Sequence, residues 1–114
     1  QMHELSIAQE IISIIEDEMA RHNLKGVKEV KVRVGALSGI SPDALSFGFE
    51  AATMDSSLSE TKLLIEEIPA CGKCLACGRI VRVDDFVFLC PYCDSRNLEI
   101  TKGEELDVAY LVEK

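Results

Sequence analysis

Between residues 5 and 19 the apolar positions recur at helical spacing. Leu5, Ala8, Ile12, Ile15 and Met19 fall on one stripe, widened by Ile11 and Ile14, with Glu10, Glu16, Asp17 and Glu18 opposite. This pattern predicts an amphipathic helix with Arg21, His22 and Lys25 near its C-terminus, where positive charge is favoured, and a stop at Gly26. The period then changes to two. In "VKEVKVRVG", Val30, Val32 and Val34 point one way and Lys31 and Arg33 the other, as in a strand with one buried face. Gly35 and Gly39 mark a turn, Ser41 is a suitable N-cap, and Pro42 suits the first helical position. Leu45, Phe49 and Ala52 then line a second helix.

"TMDSSLSET" reads as a polar connection and "KLLIEEIP" as a second strand ended by Pro69. After a cysteine-bearing stretch, a turn at Lys102-Gly103 leads into a last strand. Its expected faces are Leu106, Val108, Tyr110 and Val112 against Asp107, Ala109 and Leu111. The fold class expected is α+β: a two-layer domain of two helices on a three-stranded sheet, with an inserted zinc-ribbon-like module of four cysteines. Residues 1–69 and 99–114 are expected to form the α/β domain, and residues 70–98 the module.

Composition narrows the function classes. In 114 residues, 47% are apolar, which excludes disorder, and the core must be mainly aliphatic because there are only four Phe, two Tyr and no Trp. A net charge of -8, with no basic run, argues against nucleic acid, whose phosphates need clustered Lys and Arg. No stretch has the length of a membrane span, and the first residues lack the basic region of a secretory signal, so a cytoplasmic location is expected. Gln1 is not a translation start; Met2 is the expected one. No Ser/His/Asp set or Walker lysine is present, so the chain is not expected to be an enzyme or to bind nucleotide by itself.

The five cysteines lie in one segment. Cys74-Leu-Ala-Cys77 and Cys90-Pro-Tyr-Cys93 are separated by twelve residues, so that two tight turns joined by a hairpin can bring four thiolates together. Tetrahedral Zn(II) takes such a set readily; iron and a redox disulfide are the alternatives. Gly78 supplies the small residue such a turn needs. Four protein ligands close the coordination sphere, which makes the site structural, and so short a module needs its metal to fold. Cys71 makes a further CxxC step with Cys74 and is taken as the spare: an alternative thiol during metal exchange, or an oxidation-prone one.

Of the two histidines, His22 reads as exposed or capping at the end of the first helix. His3 stands beside the amino terminus, where an imidazole, a terminal amine and deprotonated amides can hold Ni(II) or Cu(II) in a plane. With Met2 first, Glu4 would complete the sphere through its amide or its carboxylate. The plain alternative is a polar first turn ahead of the helix.

Taken together, "MHELSIAQEI", "VRVGALSGISPDALSFGFE", "LLIEEIP" and the two CxxC pairs, in this order, resemble the HypA/HybF family of hydrogenase nickel-incorporation proteins over nearly the whole chain. The resemblance implies a nickel metallochaperone that binds Ni(II) transiently through Met2, His3 and Glu4 at the N-terminus and holds a structural Zn(II) at Cys74, Cys77, Cys90 and Cys93. It implies a HypB-type GTPase and the large subunit of [NiFe]-hydrogenase as partners. Because some members serve urease maturation, it also implies a urease accessory protein. Cys71 departs from the family's usual ligand set. Two rival classes are a zinc-ribbon interaction or nucleic-acid module, and a thiol redox switch using Cys71 with Cys74.

Overall fold

The structure, a computed structural model, describes residues 2–114, with side chains from residue 4 onward. The elements run α1 (Met2–His22), β1 (Val27–Gly35), α2 (Pro42–Thr53), β2 (Lys62–Ile68), β3 (Cys71–Cys74), β4 (Ile80–Arg82), β5 (Leu98–Lys102) and β6 (Leu106–Glu113). They form two three-stranded sheets, ordered β2-β1-β6 and β4-β3-β5. The expected two helices and three-stranded sheet make the larger unit, and the cysteine segment is built on the smaller sheet. β1 runs parallel to β2, as the α2 crossover between them requires, and antiparallel to β6.

The core of the larger unit is aliphatic, with Val30, Val32 and Val34 of β1 facing Ala8, Ile11 and Ile15 of α1 and Leu45 and Phe49 of α2. The buried row of α1 is Glu4, Ala8, Ile11 and Ile15; Leu5 and Ile14, expected on the inner stripe, are exposed. On α2, Thr53 is buried and Ala52 exposed, and Thr53 Oγ1 satisfies itself on the Phe49 carbonyl at 2.9 Å. Leu58, inside the polar connection, is also fully buried.

The first helix stops earlier than Gly26. Asn23 takes the left-handed conformation (φ 54°), and the Leu24 N–H donates to the Met19 carbonyl at 2.8 Å. This is a Schellman stop, with its apolar residue, Leu24, packed on the core beside Met19. Gly26 instead offers its carbonyl to the Lys114 N–H. At the start of α2, Ser41 caps as expected: its Oγ accepts from the Ala44 N–H at 3.2 Å, with Pro42 at the first helical position.

β6 corrects the expected faces. Lys31 pairs with Tyr110 but Val32 pairs with Val108, so Ala109 is an extra residue, a bulge that reverses the alternation. Leu106, Val108 and Leu111 therefore share the helix side with Val34, Val32 and Val30, and Tyr110 joins Asp107 on the other face. That face carries a polar ladder. The Tyr110 hydroxyl donates to Glu29, Lys31 lies 5.8 Å from the Tyr110 ring centroid, and Arg33 forks onto Asp107 with two contacts of 2.8 Å.

Where the chain leaves the larger sheet and returns to it, two glycines allow close passage. A Cβ on Gly35 would lie 2.0 Å from the Gly103 carbonyl oxygen. The Leu37 N–H donates to that same oxygen, and the Gly35 N–H to the Glu105 carbonyl, both at 2.7 Å.

Candidate metal centres

The cysteine segment is organised by two equivalent turns. The Gly78 N–H donates to the Cys74 carbonyl and the Cys74 N–H to Arg79; in the same relation, Asp94 donates to Cys90 and Cys90 to Ser95. The residue after each pair adopts a positive φ, 80° at Gly78 and 63° at Asp94, so glycine serves one turn and aspartate the other. Arg79 stacks 4.5 Å over the Tyr92 ring, tying the first turn to the second. The hairpin lies elsewhere than expected: β3 and β4 flank the first pair, while the segment joining the two pairs contains only β4 and loop.

These turns bring the sulfurs of Cys74, Cys77, Cys90 and Cys93 within 4.8 Å of one another. Two contacts are 3.6 Å (Cys74–Cys93) and 3.8 Å (Cys77–Cys90). A tetrahedral ion with metal–sulfur bonds of about 2.3 Å separates its ligands by roughly 3.8 Å, so the cluster has the spacing of a four-thiolate metal site. Cys74 and Cys90 are buried, whereas Cys77 and Cys93 are exposed. Cys71 is half-buried and stands outside the four-sulfur group.

The cluster's electrostatics favour a cation. The Cys77 backbone N–H, with that of Ala76, draws the Cys74 thiol down to about 6 against the opposing effect of burial. At Cys93 the Ser95 amide acts downward, but hydrogen bonding to Cys74, burial and the other two sulfurs outweigh it and push the thiol up to about 12. Close sulfurs thus oppose one another's ionisation. A divalent ion among them would relieve that repulsion.

Of the other expected site residues, Met2 and His3 lie in the first turn of α1, and their side chains are outside the described residues, as is Gln1. Glu4 is 5% exposed, and its Oε2 accepts from the Ser41 N–H at 3.1 Å. In a capping box the residue three places into a helix returns a carboxylate to the N-cap amide; α2 has Ala44 there, and Glu4 of α1 supplies the missing carboxylate. The pairing spans thirty-seven residues and has no local signature in sequence. His22 is exposed at the end of α1, with Nε2 3.3 Å from Glu18. Among the described residues, no helix is long and apolar enough to cross a membrane.

A two-layer α/β unit joined to a four-sulfur cluster defines a small metal-binding protein. Residues 2–112 match the family model "Hydrogenase/urease nickel incorporation, metallochaperone, hypA". The chain is 42% identical to a hydrogenase maturation factor HypA of Solidesulfovibrio magneticus, covering 96% of this chain and 97% of the relative. It is 38% identical to that of Geobacter metallireducens, with the same coverage of both chains. Two solution structures share the fold. One, of a HypA protein, has a TM-score of 0.72 at 22% identity, covering 100% of this chain and 98% of the other. The other, of the Ni metallochaperone HypA from Helicobacter pylori, has a TM-score of 0.66 at 21% identity and 96% coverage of each. The chain belongs to the HypA family of nickel-incorporation metallochaperones that serve hydrogenase maturation. It is therefore a carrier and not an enzyme.

Proposed function

We propose that this chain carries Ni(II) at the start of α1 and delivers it, with a HypB-type GTPase, to the large subunit of [NiFe]-hydrogenase, while Cys74, Cys77, Cys90 and Cys93 hold a structural Zn(II). The observation that carries the reading is the family match across residues 2–112, which includes Met2, His3 and Glu4 as well as all four cysteines. The sulfur spacing supports zinc, a d10 ion without geometric preference that accepts four thiolates. With four protein ligands, the zinc would have no open position for water or cargo.

Nickel needs a different donor set. Backbone amides at the start of a helix lie outside its repeating hydrogen-bond ladder, and amides of this kind can lose their protons to a metal. With the His3 imidazole they form a nitrogen-rich site suited to Ni(II) and poorly suited to zinc. The Glu4 carboxylate already serves the Ser41 amide, which favours its backbone nitrogen as the ligand. Amides and imidazole must both be deprotonated, so nickel binding weakens as pH falls. Delivery is then ligand exchange after docking, with the GTPase supplying the nucleotide chemistry. A urease accessory protein is a second partner that this donor set could serve.

The test is a nickel titration, followed by calorimetry and d–d absorption, on zinc-loaded protein beginning at Met2, with His3→Ala in parallel. The expected result is one tight nickel equivalent that the variant loses while keeping its zinc. Equal binding by both proteins would overturn the N-terminal site.

A further inference from the structure

β6 is an outer strand of the larger sheet, and among the described residues no strand pairs with its free side. A groove runs beside it, between α1 and β6. Its two cavities, about 560 and 570 Å³, adjoin at Ile14 and Val108 and are together called the channel. Its apolar lining is Ile7, Ile11 and Ile14 from α1, and Leu106, Val108 and Leu111 from β6, with Ser6, Gln9 and Ser13 among them. Ile14 is 43% exposed there, and Tyr110 and Val112 are also exposed along the strand. The groove at the opposite edge, between α2 and β2, is mixed, with Phe49, Leu63 and Leu64 among Ser46, Glu50, Thr53, Ser59 and Thr61, and it carries a cation, Lys62.

The charge around the α1–β6 channel is one-sided. Its lining includes Glu10, Glu18 and Asp107 and no Lys or Arg. Glu18 pairs with Arg21 and His22, and Asp107 with Arg33, at its margins; Glu10 stands exposed. β6 itself, "LDVAYLVE", has two carboxylates and no cation.

We propose that β6 is a docking edge completed by an extended segment of a partner protein, in which apolar side chains alternate with Lys or Arg. Such a segment adds a fourth strand to the order β2-β1-β6 and satisfies the free main-chain groups of β6. Its apolar side chains enter the channel beside Ile14, and its cations lie on the other face of the sheet beside Asp107, with Glu10 at the channel rim adding to the negative field. A second copy of this chain fits poorly. Two-fold pairing of β6 with itself brings only acidic charges to the ladder and joins two chains of net charge -8. The bulge at Ala109 further discourages indiscriminate edge pairing, which leaves side-chain chemistry to select the partner. This inference is independent of the nickel and zinc assignments.

Two synthetic peptides of the length of β6 test it, both made of the same numbers of Val and Lys. In one the two alternate; in the other they are permuted to helical spacing. On nitrogen-labelled, zinc-loaded protein, the alternating peptide is expected to shift amide resonances of β6 and of α1 near Ile14. It should slow hydrogen exchange along β6, and its binding should weaken with salt. The permuted peptide should bind about tenfold more weakly or worse. Ile14→Lys, on an exposed position, and Glu10→Lys should each reduce binding of the alternating peptide with zinc content unchanged. Equal binding of both peptides, shifts confined to another surface, or no binding at millimolar peptide would overturn the proposal. So would a dimer of the peptide-free protein whose exchange protection falls on β6, since a second copy would then be the occupant.

Discussion

Replacing Gly35 by Ala should be among the most damaging small changes this chain can suffer. Its backbone has no positive φ, so the alanine meets no conformational penalty, and the effect is steric. The new Cβ would stand 2.0 Å from the Gly103 oxygen, 2.2 Å from its carbonyl carbon and 2.7 Å from the Glu104 nitrogen. All three are backbone atoms, so no side chain can swing away; the strand must separate from the returning chain by about 1 Å or more to restore van der Waals distance. Separation breaks the Gly35–Glu105 and Leu37–Gly103 hydrogen bonds. A buried backbone group left unpaired costs about 1–3 kcal/mol, and forced overpacking adds about 1–3 kcal/mol. A loss of about 3–5 kcal/mol is therefore expected, a large part of the roughly 5–15 kcal/mol that holds a domain together. Urea unfolding of zinc-loaded protein, followed by far-UV circular dichroism, would show a midpoint lowered by roughly 2 M if the slope is about 2 kcal/mol/M. Gly48→Ala is the internal contrast. It sits in α2 with its nearest neighbours 3.8 Å away, at the Ala8 Cβ, the Glu4 carbonyl and the Leu5 Cα. A methyl fits there and removes a helix-interior glycine, so stability should rise by up to about 1 kcal/mol. A Gly35→Ala protein within about 1 kcal/mol of the parent would refute the close-passage argument.

Three further outcomes are expected. Glu4→Ala removes the acceptor for the Ser41 amide and should cost about 1–3 kcal/mol, read by the same urea series; Glu4→Gln keeps an acceptor oxygen and should recover most of it. Stripping metal with a chelator should unfold residues 70–98, whose small core is Val81 with Cys74 and Cys90 and the half-buried Leu98 against them, while the helical signal of α1 and α2 persists. Amide exchange would separate the two responses, and simultaneous loss of both would refute their independence. Asp107 has its carboxyl held below the usual range by the Arg33 hydrogen bond and charge. Its contribution is thus complete above the unfolded value of about 3.9 and is lost as pH falls through the lower folded one. Asp107→Asn should flatten stability across that acid window, by a small and salt-sensitive amount because both side chains are more than 40% exposed. A steeper acid loss in the variant would contradict the assignment.

The parts of the fold that were legible in sequence are those written in local period or local chemistry. The alternation of Val30, Val32 and Val34, the Ser41-Pro42 helix start and the two CxxC pairs each act within a few residues, and the structure repeats them. What escaped depends on partners distant along the chain. Ala109 bulges because β6 must keep register with β1, and nothing in "LDVAYLVE" distinguishes that alanine from a ladder residue. Leu58 is buried beneath a polar connection because the loop folds over the core, although its neighbours are Ser. The helix stop went to Asn23 over Gly26 because Leu24 gains core contact when the turn comes early. Glu4 reads in sequence as a metal-ligand candidate or part of a polar first turn, and only the packing of α1 on α2 makes it a cap.

That cap bears on how a carrier can release its cargo. Glu4 places its carboxyl group at the N-terminus of α2, on the Ser41 amide, where the helix dipole favours negative charge. A metal that recruited this carboxylate would have to draw it out of a buried position and leave the Ser41 amide without its acceptor. The gain from ligation would be offset by that loss. A metal held by the His3 imidazole and backbone nitrogens meets no such conflict, because the Glu4 carboxylate stays on the Ser41 amide. The two arrangements predict different behaviour for Glu4→Gln. With nitrogen ligation the variant binds nickel as the parent does, because the amide of residue 4 is retained. With carboxylate ligation it loses nickel while keeping its fold. Nitrogen ligation also leaves the α1–α2 contact intact during transfer, so nickel can depart by proton return to the amides without loosening the core that positions the site.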